Sequence, residues 1–230
     1  MNILLLGGDG YIGSVLQNYL TEKGDAFTVF DNFLYGEKKG SDIRDINALY
    51  PAIEKADVIV HLAGLSNDPT CELKPSLTWE INYKANEVIA KLLQGSRKRI
   101  IFISSCSVYG DAGASTESSP LSPVSLYART KMLSEQLFFR DDIDSVILRL
   151  ATVYGDSPNP RLDLVVNTMI ASSYFNHSIV VNGGSQWRPI VHVKDAVRAI
   201  HMMIHAKVFP YSVFNVGSDN QNYQIKDLAK

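Results

Sequence analysis

Asn2-Ile3-Leu4-Leu5-Leu6-Gly7-Gly8-Asp9-Gly10-Tyr11-Ile12-Gly13 opens the chain with an apolar run that stops at glycine and restarts as an amphipathic stretch. The pattern predicts a buried strand, a tight turn and a helix over Tyr11 to Lys23. Gly7, Gly10 and Gly13 stand in G-x-x-G-x-x-G spacing. Glycine there lets the backbone turn sharply and approach a bound group. The helix start then directs unpaired N–H groups and its positive end at an anion such as a pyrophosphate. Glycines also make turns with no ligand at all, so the motif takes its meaning from its surroundings. Asp31 ends a second apolar run, Phe27 to Phe30, 18 residues beyond Gly13. A carboxylate at that point can accept hydrogen bonds from an adenosine ribose, or can merely form the turn into Asn32.

Working outward, short apolar runs alternate with longer amphipathic ones as far as Leu150. Asn2 to Leu6, Phe27 to Phe30, Val58 to Leu62, Arg99 to Ser104 and Val146 to Leu150 read as buried strands. Tyr11 to Lys23, Ile46 to Lys55, Leu77 to Leu93 and Leu126 to Phe139 read as helices, with apolar residues three and four apart. Parallel strands need such crossovers, so the expected fold is α/β: a Rossmann-like, doubly wound parallel sheet with its dinucleotide-binding core in residues 1–150. From 151 to 230 the loops grow rich in Gly, Pro and Asn, as in Asn182-Gly183-Gly184-Ser185. This region is expected to complete the core and to form part of a substrate site. Its predicted elements are a helix near Leu164 to Phe175, strands near Ile179 and Ile190, a helix from Val193 to His205 and a strand over Val213 to Val216. Tyr223 to Lys230 reads as the opening turns of a helix that stops, so a truncated chain is expected.

Composition narrows the function. The 230 residues are 46% hydrophobic and 20% charged, which suits one large globular domain and neither disorder nor a fibrous repeat. A net charge of −2 and a pI near 6.2 lack the basic excess of a nucleic-acid binder. Cys71 and Cys106 stand far apart, in no metal-ligand spacing; a reducing compartment, the cytoplasm, is expected, and no metal site. No apolar run approaches the roughly 18 residues that span a bilayer, so a soluble protein is expected.

Other residues fall where a dinucleotide would lie. Asp42 could meet an adenine edge with Ile43 on its face, or Asp42 and Asp45 could cap the next helix. Leu62, Ala63 and Gly64 lead out of the third strand beside the binding crevice, whereas His61 reads as a packed residue. The most specific pattern is Ser105 with Tyr127-Ala128-Arg129-Thr130-Lys131. Ser105 follows a strand end, where open parallel sheets place their ligands, and Tyr127 and Lys131 share a helix face. A neighbouring ammonium is expected to lower the phenol pKa from about 10 and make the tyrosine a base, with Ser105 holding the same substrate oxygen.

Gly7 to Gly13, Ile103-Ser104-Ser105-Cys106-Ser107-Val108-Tyr109-Gly110, the Tyr127/Lys131 pair and Leu148-Arg149-Leu150-Ala151-Thr152-Val153-Tyr154-Gly155 together resemble the extended short-chain dehydrogenase/reductase superfamily. More narrowly, the chain resembles its NAD-dependent sugar-nucleotide epimerase/dehydratase family. The resemblance implies NAD held by Gly7, Gly10, Tyr11, Ile12, Gly13, Asp31, Asn32, Asp42, Ile43, Leu62, Ala63, Gly64, Asn82, Tyr127 and Lys131. It implies Ser105, Tyr127 and Lys131 as the catalytic set, with Lys131 on the nicotinamide ribose and Asn82 ordering that lysine through water. A nucleoside-diphosphate sugar is implied at Ser105, Ser107, Tyr127, Thr152 and Arg188, with Arg188 gripping the diphosphate.

Departures shape the expected reaction. Cys106 and Ser107 stand where the family's dehydratases have an Asp-Glu pair, so loss of water at C6 is disfavoured. Thr152 replaces an asparagine frequent in epimerases, and Pro189 a frequent aspartate. The expected activity is C4 epimerisation through a 4-keto intermediate. Net dehydrogenation or reduction of a similar sugar nucleotide, and a non-catalytic NAD-binding regulator, are the alternatives. The resemblance implies that the apolar faces on Leu77 to Leu93 and Leu126 to Phe139 pair across a two-fold axis in a homodimer; the alternative is that they are ordinary core. Asp31 predicts NAD over NADP, although Lys38 and Lys39 stand near enough in sequence to meet a 2′-phosphate.

Overall fold

The computed structural model describes residues 1–33, 40–181, 183–207 and 212–230. Lys38, Lys39 and Asn182 lie outside the described residues. In chain order the first half runs β1 (Ile3–Leu6), α1 (Tyr11–Lys23), β2 (Phe27–Phe30), α2 (Ile46–Glu54), β3 (Val58–His61), α3 (Asp68–Leu73), α4 (Pro75–Trp79), a π turn (Glu80–Lys84) and α5 (Ala85–Leu93). Then come β4 (Arg99–Ser105), a 3-10 turn (Cys106–Tyr109), α6 (Leu126–Phe138), β5 (Asp144–Leu150), β6 (Thr152–Tyr154), α7 (Val165–Asn176) and β7 (Trp187–His192). The chain finishes with α8 (Val193–His205), β8 (Val213–Val216), β9 (Asn222–Gln224) and α9 (Ile225–Leu228).

Six strands form one parallel sheet in the order β2-β1-β3-β4-β5-β8. Successive side chains on a strand face opposite ways, and β1 shows the consequence. Ile3 and Leu5 join a core with Leu16 and Leu20 of α1 and Val197 and Ile200 of α8. Leu4 and Leu6 join another with Leu49 and Ile53 of α2, Ile89 and Leu93 of α5 and Phe138 of α6. Helices therefore cover both faces, and the strands are apolar on each. Residues beyond 150 complete this layer, since β8 pairs with β5 and α8 packs on α1. A small second sheet, β6-β7-β9, stands beside it.

Three expected elements differ. The Leu77 to Leu93 helix forms, but it starts at Pro75 and winds through the π turn between α4 and α5 without losing helical backbone. In that turn the Asn82 carbonyl accepts from the Asn86 amide (2.7 Å) and the Ser134 hydroxyl (2.8 Å), so the displaced backbone acceptor is satisfied. No strand forms at Ile179 among the described residues; Val180 is 78% exposed and pairs with nothing. The place beside β7 is taken instead by β9, antiparallel, so Tyr223 and Gln224 are strand and the terminal helix starts only at Ile225. Among the described residues no helix is long and apolar enough to cross a membrane.

Candidate active site

The C-terminal ends of β1, β3 and β4 converge with the start of α1. Gly7 has φ +76°, and a Cβ there would collide with the backbone of Leu62 and Ala63; a Cβ on Gly13 would collide with the Gly8 carbonyl. These two glycines let the first turn lie flat against the loop after β3. Gly10 is the N-cap of α1 and no side chain caps the helix, so its first N–H groups, including those of Tyr11 and Ile12, are left for a ligand. The Tyr11 side chain itself turns away: its hydroxyl donates to the Gly155 carbonyl at 2.7 Å.

Asp31 ties the glycine loop to β2. Its Oδ2 accepts from the Asp9 N–H (2.8 Å) and its Oδ1 from the Phe33 N–H (2.9 Å). A carboxylate offers about four acceptor sites, so both oxygens keep room for ribose hydroxyls. Asn32 follows, exposed. Asp42 is not the helix cap, since Asp45 alone caps α2; Arg44 grips it through Nε (3.0 Å) and Nη2 (2.8 Å), which leaves acceptor room on its Oδ2. Ile43 is buried in the core with Phe30 and Leu49, so its side chain is not a face laid open to adenine. Leu62, Ala63 and Gly64 follow β3 as expected, and Asn82 fixes the next residue by accepting from Leu65 N–H (2.8 Å) and donating to Leu65 O (2.8 Å). Its amide thus holds the loop that backs the glycine turn.

Ser105, at the end of β4, and Tyr127 and Lys131, one turn apart on α6, come together. Ser125 caps α6, accepting from Ala128 N–H at 3.2 Å, which sets Tyr127 in the first turn beside the strand end. The expected low phenol pKa is not found. Burial pushes the Tyr127 hydroxyl up to about 12, against the pull of the adjacent Ser105 hydroxyl and the Arg161 charge. The ammonium of Lys131 is engaged elsewhere: it donates to the Ile103 carbonyl at 2.7 Å and sits 4.8 Å from the Phe102 ring and 5.9 Å from the Tyr127 ring. Burial lowers Lys131 to about 8, with the Glu135 carboxylate among the charges that oppose it.

Beneath this set lies a buried network that sequence reasoning missed. Glu135, one turn beyond Lys131, accepts from Arg149 Nε (3.0 Å) and Nη2 (2.6 Å) and from the Ser104 hydroxyl. Arg149 also donates to Tyr109 (2.8 Å), whose hydroxyl donates to Asn215 (2.7 Å). The strand bearing Ser105, the helix bearing Tyr127 and the turn bearing Ser107 are therefore joined at one ion pair. The four-residue step from Lys131 to Glu135 was the available signal. Arg161, which acts on the Tyr127 phenol, was missed too; it binds Ser66 and Asp163.

The Ser107 hydroxyl is buried with no hydrogen-bond partner among the described residues, and the Cys106 thiol is pushed up to about 11 by burial. Thr152 and Arg188 sit on the small sheet, in β6 and β7, with Arg188 exposed and opposite Tyr223. His61 is packed, as expected, with Nε2 2.6 Å from Asn86 Oδ1 and its pKa lowered to about 4 by burial.

The chain is 27% identical to a UDP-glucose 4-epimerase of Lactobacillus helveticus over 100% of this chain and 81% of that protein. It is 26% identical to a UDP-N-acetyl-alpha-D-glucosaminuronate decarboxylase of Bacillus cytotoxicus, covering 99% and 78%. The solved structure of MoeE5 with UDP-glucuronic acid and NAD superposes with a TM-score of 0.86 at 25% identity, covering 99% of this chain and 80% of that one. Residues 3–217 match the model of one family along nearly the whole chain. The chain therefore belongs to the NAD dependent epimerase/dehydratase family, an enzyme family whose cofactor is NAD.

Proposed function

We propose that this enzyme epimerises a nucleoside-diphosphate sugar at C4. The observation that carries the reading is the composition of the strand-end cluster. Ser105, Tyr127 and Lys131 supply a proton relay, while the two positions after Ser105 hold a buried thiol kept neutral by burial and a hydroxyl. Neither is an acid–base pair able to eliminate water, so the protein groups suit oxidation and re-reduction at one carbon; on a uronic-acid sugar the same 4-keto stage would instead open to loss of carbon dioxide.

The uncapped start of α1 and the lone-pair room on Asp31 fit NAD, with the diphosphate at the N–H groups of Tyr11, Ile12 and Gly13, the adenosine ribose at Asp31 and the nicotinamide ribose at Lys131. When bound, NAD accepts and returns a hydride. Tyr127, pushed up to about 12 by burial, would take the proton of the C4 hydroxyl and return it once its pKa is drawn down by the positive charge of NAD beside it. Ser105 donates to the same oxygen and steadies the charge on it. Inversion follows if the 4-keto sugar turns over between oxidation and reduction. Arg188, exposed on β7, and Thr152 hold the nucleotide diphosphate, and Ser107 offers its unpartnered hydroxyl to the sugar. Two copies pair through α5 and α6, where Val88 and Phe139 stay exposed.

The test is to incubate purified protein with a panel of nucleoside-diphosphate sugars and NAD and to follow products by NMR. Interconversion of C4 epimers with no net NADH is expected. Carbon dioxide release, a 4-keto-6-deoxy product, or stoichiometric NADH would replace epimerisation by decarboxylation, dehydration or net oxidation.

A further inference from the structure

Among the described residues, one group of His and Asp side chains lies close enough to hold a metal ion, and it is far from the strand-end cluster. His201 and His205 are four apart on α8 and so share a face. Both direct Nε2 at the same oxygen, Oδ2 of Asp25, at 3.0 and 3.1 Å. Asp25 comes from the opposite end of the chain, between Gly24, the C-cap of α1, and β2. The packing of α8 on α1 brings the three together.

We propose that Asp25, His201 and His205 form a binding site for a divalent transition-metal ion, zinc by ligand chemistry. Two imidazoles and one carboxylate, with a place for water, form a common zinc set. In a tetrahedral site with bonds of about 2.0 Å, neighbouring ligand atoms stand about 3.3 Å apart. The observed 3.0 and 3.1 Å separations need to open by only a few tenths of an ångström, and all three ligand atoms lie within 4.8 Å of one another. His205 is the most exposed of the three, at 41% for its side chain against 21% for His201 and 18% for Asp25, and leaves solvent access for a fourth ligand. The Tyr19 ring stands edge-on to His201, 5.1 Å between centroids, and orients that imidazole.

The site lies at the amino-terminal end of β2, whereas Ser105 and the glycine loop lie at the carboxyl ends of their strands. An ion there cannot take part in the hydride chemistry. It would instead fasten α8 to the end of the first crossover, where α1 gives way to β2. Without metal the same atoms make two hydrogen bonds to one carboxylate oxygen; a metal bound at Nε2 requires the Nδ1–H tautomer of each imidazole.

The experiment uses untagged full-length chain stripped with a chelator, then titrated calorimetrically with Zn²⁺ and followed by absorption with Co²⁺. One ion per chain is expected, with Co²⁺ bands of tetrahedral type and a rise in Tm that chelator reverses. The surface variant His205→Ala, and separately Asp25→Asn, should weaken uptake by about tenfold or more, with NAD affinity unchanged as the sign of an intact fold. No uptake of Zn²⁺, Co²⁺ or Ni²⁺ at submillimolar metal overturns the site, as does uptake that survives His205→Ala undiminished. If Asp25→Asn disturbs folding, His205→Gln supplies the second reading.

Discussion

Replacing Glu135 by Gln removes a charge without removing volume, and it tests whether the ion pair under α6 is integral to the fold. The side chains of Arg149 and Glu135 are only 6% and 4% exposed. In the variant, the guanidinium loses its carboxylate at Nε and Nη2 but keeps Tyr109 and the Glu117 carbonyl, so a cation remains buried with neutral partners. Breaking such a pair from one side costs about 3–5 kcal/mol. That is a large part of the roughly 5–15 kcal/mol that holds a domain folded. With a urea slope near 3 kcal/mol/M, at the upper end for a single domain, the midpoint should fall by about 1–1.7 M. The assay is urea denaturation followed by fluorescence. The partner experiment is Glu135→Met with Arg149→Met, which removes both charges and leaves Tyr109 its bond to Asn215; it should recover most of the loss. A single variant within about 0.2 M of wild type, or a double variant no better than the single, would refute the reasoning.

Tyr127→Phe should leave NAD binding and the urea midpoint near wild type and lower turnover by about 10²–10⁴; near-normal turnover would take the tyrosine out of the proton transfer. NAD should bind more tightly than NADP, and Asp31→Ala should narrow the gap, because the carboxylate faces the 2′ position; equal affinities in the wild type would misplace the ribose. Arg188→Ala should lose affinity for the nucleotide sugar while NAD binds as before, and calorimetry with unchanged sugar-nucleotide affinity would end the diphosphate role. His61, near 4 in the fold against about 6.5 free, stays neutral in the native state while the unfolded chain takes up a proton. Stability should therefore fall as pH drops from about 6.5 to about 4, by on the order of 3 kcal/mol. His61→Gln should flatten that slope, and an unchanged slope would assign the acid lability to other groups.

The parts of the fold legible in the sequence are those whose cause is local. The glycine loop, β1 to β5 and the pairing of Tyr127 with Lys131 rest on spacing within a few residues, and each falls where the pattern puts it. What failed depended on distant partners. The π turn at Glu80–Lys84 frees the Asn82 carbonyl, which Ser134, 52 residues further on, satisfies. Ile179-Val180-Val181 is apolar enough for a strand but has no strand partner among the described residues, and Asn222–Gln224 pairs with β7 in its stead. The phenol pKa went the wrong way because helix spacing gives the Tyr–Lys proximity but not burial, nor the Ile103 carbonyl that occupies the ammonium. Glu135 and Arg149 each read as an ordinary charged residue until the strand and helix are packed together.

The place of β8 at the edge of the sheet, beside β5, has a consequence for a chain still being made. When Leu150 leaves the ribosome, the strand carrying Val146-Ile147-Leu148 has β4 on one side and nothing on the other. Its other neighbour, Val213–Val216, lies 63 residues further on (213 − 150). At about 5–20 residues per second, the gap lasts roughly 3–13 s. For that interval an apolar strand edge is open to any other extended segment, including the same strand of a neighbouring nascent chain. Slow translation through residues 151–212 should therefore lower soluble yield, and a chaperone that shields strand edges should restore it.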